Sequence, residues 1–166
     1  MDRLEITCEI EREFPFVNKP QGIAISFHVQ WVEENGVDTD VLYTEDGYYD
    51  TSCTWKMNQS EKNIEDIFGK IMPRSEASDT DVAYWGNERK HDIQASFEDG
   101  VVVSIVFRFD MREPVDELID QLVRAADELH CVLFIPGQRV LANPDVLELR
   151  RYLSNSDAAK YVLDRS

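Results

Sequence analysis

Residues 101–135, VVVSIVFRFDMREPVDELIDQLVRAADELHCVLFI, decide the fold. The first ten alternate: Val101, Val103, Ile105, Phe107 and Phe109 share one side, while Val102, Ser104, Val106, Arg108 and Asp110 share the other. A period of two is that of a strand, and the partly apolar second side asks for a cover at its start. The period then changes. Pro114 suits a first helical turn, and Val115, Leu118, Ile119, Leu122, Val123, Ala126 and Leu129 draw one broad apolar stripe, predicting a long helix over 114–130. Asp116, Glu117, Asp120, Asp127 and Glu128 take the wetter surface, where Asp120 meets Arg124 one turn on. CVLFI at 131–135 is a continuous apolar run of strand length.

Working outward, DIQASF and VVVSIVF flank Glu98-Asp99-Gly100, the signature of a hairpin. Upstream, Leu4, Ile6, Cys8 and Ile10 alternate, and so do Ile23, Ile25, Phe27, Val29 and Trp31, predicting two strands with His28 on the polar side of the second. VLYTEDGYYDTSCTW reads as a hairpin about Asp46-Gly47. SEKNIEDIFGKI reads as a short helix capped by Ser60, with Ile64, Ile67, Phe68 and Ile71 inward. Residues 73–90 read as a long loop with a short strand. Downstream, PGQR is a turn and VLA a short return strand. Asn143-Pro144 predicts a helix start with Val146, Leu149 and Leu153 inward, and Ser154 or Ser156 opens a last short helix held by Ala159 and Val162 or Leu163. Antiparallel neighbours on short turns, with helices gathered on one side, make an α+β fold: a mainly antiparallel sheet, the long helix 114–130 and C-terminal helices. No low-complexity linker divides residues 1–166, so a single domain is expected.

The formal charge is −16, from 33 acids against 17 bases. Such a field repels nucleic-acid phosphates and anionic lipid surfaces and favours a basic protein partner. Residues 1–83 carry 18 acids and 7 bases, the remainder 15 and 10. The densest acidic run is Glu33, Glu34, Asp38, Asp40, Glu45, Asp46 and Asp50, with no base between the first and the last. Trp31, Tyr43, Tyr48 and Tyr49 lie in or beside it. Aromatic rings among like charges have the make-up of an interface that anchors through rings and discriminates through charge, so these eleven residues form the predicted partner-binding set.

Catalytic and cofactor signatures are absent from the sequence. Cys8, Cys53 and Cys131 contain no CxxC pair, and His28, His91 and His130 have no HExxH spacing. GxGxxG, GxxxxGK and GxSxG do not occur. ENGVDTDVLYTEDG is no calcium loop, because the sixth residue is Tyr43 counted from Asp38 and Glu45 counted from Asp40, where glycine is needed. The adjoining His130 and Cys131 make a poor dyad, since extended neighbours point to opposite faces, and Cys131 is read as a buried structural thiol. The expectation is no catalytic residue, no metal and no cofactor. MDRLEITCEI has neither the basic nor the apolar region of a signal peptide, the odd cysteine count suits a reducing compartment, and no stretch approaches a membrane span, so a cytoplasmic protein off the membrane is expected.

The stretch from Ser96 to Val162 resembles small uncharacterised bacterial proteins, some similar to immunity proteins of contact-dependent and polymorphic toxin systems. The features that carry this are the Glu98-Asp99-Gly100 turn, Arg108-x-Asp110-x-Arg112, the long helix, CVLF and the closing SDAAKYV, over about 70 residues. The resemblance implies a small cytoplasmic binder that occludes a toxin stoichiometrically, and it carries no site residues across. Two other readings stand beside it: a homo-oligomeric structural protein, for instance a homodimer packed through VVVSIVF, and a small hydrolase-like enzyme using His28 or His91 with a carboxylate.

Overall fold

The computed structural model describes residues 21–43, 45, 51–55, 61–76 and 81–164. The strand predicted over 2–10, the Asp46-Gly47 turn and the Ser60 cap lie outside them. The fold is α+β. Among the described residues, six strands form one antiparallel sheet in the order β2-β3-β4-β1-β5-β6. They are β1 (Gln21–His28), β2 (Val82–Gly86), β3 (Asp92–Glu98), β4 (Val101–Asp110), β5 (Cys131–Ile135) and β6 (Val140–Ala142). The helices are α1 (Val29–Asn35), α2 (Glu61–Phe68), α3 (Asp116–Glu128), α4 (Val146–Ser154) and α5 (Asp157–Asp164).

The principal core lies between one face of the sheet and the helical layer. Phe107 and Phe109 of β4, Ile93 of β3 and Leu133 of β5 meet Ile64 and Phe68 of α2, Ile119 and Leu122 of α3, and Leu149 of α4 there. The stripe predicted for the long helix is the face it buries, with Ala125 added, and Asp120 pairs with Arg124 at 2.8 Å on the wet side. A smaller cluster covers part of the other face, where Ile25, Phe27 and Phe134 pack with Trp31 of α1 and with Leu42. Both sides of β1 are therefore buried, and it lies between β4 and β5.

Four local expectations need correction. In β4 the core residue near the hairpin is Val102, with Val101 and Val103 half-buried, because the β3–β4 register shifts between Ser96 and Phe97. A bulge inserts one residue and reverses the alternation beyond it. The strand through Trp31 stops at His28, whose Nδ1 accepts the Gln30 N–H at 3.1 Å and caps α1. His28 lies opposite Ile25 and Phe27, as its position in the alternation predicts, but that side is the principal core and His28 is 2% exposed. The arms of the supposed 41–55 hairpin are short 3-10 turns at Asp40–Leu42 and Ser52–Thr54, and they diverge: Leu42 joins the smaller cluster, Trp55 the principal core. Finally, α4 is capped by Asp145, whose Oδ1 accepts the Glu148 N–H at 2.9 Å, and not by Asn143.

Candidate functional site

The acidic run begins on α1 and continues along the loop that follows it. Glu33 and Glu34 are exposed, with Glu34 accepting a hydrogen bond from Gln30 Nε2 at 3.2 Å. Gly36, with φ of 80°, ends the helix and sends its N–H to Val32 O. The chain then exposes Val37, Asp38, Asp40 and Val41, and Asp38 Oδ1 accepts the Asp40 N–H at 2.9 Å. Val37 and Val41 are 75% and 69% exposed. Glu45 is also exposed. Asp46, Tyr48, Tyr49 and Asp50 lie outside the described residues.

The two described aromatics of the predicted set do not stand outward as anchors. Trp31 is 4% exposed and meets Phe27 edge-on with ring centroids 5.4 Å apart. Tyr43 is half-buried, its hydroxyl donating to Pro136 O at 3.2 Å, and the Arg139 guanidinium lies 3.8 Å from its ring centroid. Arg139 also stands 3.4 Å from Asp40. The run without a base in sequence thus receives one in space, from the β5–β6 turn. The signal that sequence reading missed is the pair of exposed valines, which look like ordinary loop residues until their surroundings are known.

His130 and Cys131 part at the end of α3, with Cys131 buried as its sequence context predicts. His130 follows α3 with φ of 57° and is exposed, whereas Cys131 starts β5 and is buried. Burial pushes the Cys131 thiol up to about 12, against a lowering hydrogen bond from Ser26. Such a thiol has almost no thiolate near neutrality and is a poor nucleophile. The residue directly across the sheet from Cys131 is His28, on the same face. Burial holds the His28 imidazole below its ordinary value; His130 adds to this and Glu33 opposes it.

His91 approaches a carboxylate at the other end of the sheet, where its Nδ1 accepts the Asp110 N–H at 2.8 Å. Burial lowers the His91 pKa, against the raising fields of Asp110 and Glu113. Burial also pushes the Asp110 carboxyl up, but hydrogen bonds and charge from Arg112 outweigh it and hold it below the usual range. Arg112 Nε and Nη2 reach Asp110 at 2.9 and 3.0 Å, so that carboxylate is engaged as an ion-pair partner. Beside it, Arg108 and Asp92 form a buried two-point ion pair, with Nε to Oδ1 at 2.6 Å. Gln21 Nε2 ties β1 to the β2–β3 loop by donating to the carbonyls of Glu88 and Lys90. These contacts brace the sheet end, although among the described residues Gln21 Oε1 is buried with no hydrogen-bond partner.

Two clefts flank this end. One of about 260 Å³ includes Gln21, Gln138, Ser156 and Lys160, and one of about 430 Å³ includes Tyr84, Asn87, Glu88 and Asp92. Neither is lined by a histidine. Among the described residues, no three His, Cys, Asp or Glu side chains come together as metal ligands. No helix among them is long and apolar enough to cross a membrane. Comparison with known proteins returns no match to a family model, a curated protein or a solved structure.

Proposed function

We propose that this chain is a stoichiometric binding module for a basic protein, and that it acts as an immunity protein neutralising a basic bacterial toxin in the cytoplasm. The observation that carries the reading is the mixture, on the end of α1 and the stretch after it, of exposed carboxylates at Glu33, Glu34, Asp38 and Asp40 with exposed Val37 and Val41. Carboxylates steer a cationic partner and raise its encounter rate, while apolar side chains leaving water hold it once docked. The resemblance of residues 96–162 to immunity proteins supports the finer part of the proposal. The enzyme reading loses support, since Asp110 is committed to Arg112 and both His28 and His91 have structural partners.

The test is capture from the source organism at low salt, followed by kinetics on the partner so identified. The variant Glu33→Gln, Glu34→Gln, Asp38→Asn is expected to associate more slowly and with a flatter salt dependence. Val37→Ser with Val41→Ser is expected to act chiefly on dissociation. Unchanged kinetics in both, with the fold intact, overturns the assignment of this surface.

A further inference from the structure

The junction between β1 and α1 turns on a single imidazole. His28 is the last residue of β1 and the cap of α1, and its Nδ1 accepts the Gln30 N–H at 3.1 Å. An accepting Nδ1 requires the ring proton on Nε2, and among the described residues Nε2 is buried with no hydrogen-bond partner. The ring stands edge-on to Trp55, centroids 5.8 Å apart, and Trp55 is fixed by its Nε1–H to Ser26 O at 2.9 Å. The next backbone group, Val29 N–H, donates to His130 O at 2.8 Å. Only the neutral ring fits this setting.

We propose that His28 is a proton-operated hinge: protonation of its imidazole releases the first turn of α1 and with it the acidic loop that α1 carries. A proton added at Nδ1 removes the acceptor from Gln30 N–H and sets two donors head to head. The ring would then hold two N–H groups and a charge within the core, which burial penalises. Among the described residues, the titratable groups around it are Glu33 from α1, Cys131 from β5 and His130 from the junction before it. Glu33 attracts the imidazolium, His130 repels it, and the Cys131 thiol stays neutral. Burial outweighs Glu33 in the folded protein, so release sets in below the ordinary imidazole value of 6.5 and not above it. The bearing on partner capture rests on the function proposed above; the hinge does not.

The experiment uses the protein alone, which separates its failure from that of the binding reading. Amide exchange protection at Gln30 is compared with that at Leu122 in α3, at about pH 7.5 and about pH 5.5, alongside an NMR titration of the His28 ring. The expected result is a loss of protection at Gln30 about five- to tenfold greater than at Leu122, which follows only the global stability, with the same inflection as the His28 ring. In His28→Asn, which caps without titrating, Gln30 should lose no more protection than Leu122 between the two pH values. Three outcomes overturn the hinge: Gln30 and Leu122 losing protection by the same factor, the His28 ring staying neutral until the whole protein unfolds, or the excess loss at Gln30 surviving in His28→Asn. If that variant fails to fold, the wild-type titration and exchange decide alone.

Discussion

Leu122 is fully buried at the centre of the α3 face, while Asp120, one turn from Arg124, is in contact with water. Leu122→Ala should cost about 2 to 5 kcal/mol of stability and Asp120→Ala no more than about 0.5, a contrast that denaturant melts read directly. Cys131 should resist alkylation in the folded protein far longer than an exposed thiol does; rapid labelling near neutral pH would contradict its burial and raised pKa. His130 occupies the left-handed region that glycine favours at a helix end, so His130→Gly should stabilise the protein by up to about 1 kcal/mol. The structural role of Cys131 was legible because an apolar run follows it. Trp31 was not, because its fate depends on a chain reversal at His28 that brings α1 down over Phe27. No local pattern encodes which side of a sheet a following helix will cover.

Elements whose periodicity was strong matched the structure: α3, the β3–β4 hairpin, β5 and α4 stand where their apolar spacing puts them. The hairpin turns on Asp99 and Gly100, with φ of 53° and 77°, the pair of positive values that suits the twist of two antiparallel strands. Gly100→Ala meets no atom within 4 Å and should cost only the backbone term, about 1 to 2 kcal/mol. Gly86→Ala should cost more, since at φ of 90° its new carbon would lie 2.5 Å from the His91 carbonyl oxygen; thermal melts of the two variants check the order. What the sequence hid at this scale was the bulge beside Val102, which depends on pairing with β3, and the divergence of Leu42 and Trp55 to opposite sides of the sheet. Both are set by tertiary partners, and alternation within a segment cannot express them.

The whole molecule responds to pH through its inward-held imidazoles. His28 and His91 both have lowered folded pKa values, so the unfolded chain takes up protons more readily than the native one. Stability is therefore at its full value above about 6.5 and falls as pH drops below it, which denaturant midpoints between about pH 7.5 and pH 5.5 should register. An unchanged midpoint over that interval would contradict it. The overall acidity was legible from composition, and the α+β class from the order of periods; the local neutralisation by Arg139 was not, because nearly a hundred residues separate it from Asp40. The rims of the sheet carry one more consequence. β6 offers three residues, and β2 is lined by the 73–75 segment, with Ser75 N–H donating to Tyr84 O and Gly86 N–H to Pro73 O. Among the described residues, neither rim presents a long open ladder on which a foreign strand could template itself. The described rims therefore leave side chains, and not open backbone, as what the proposed binder would offer, and an unstructured peptide copied from its partner is expected to compete weakly with the intact molecule.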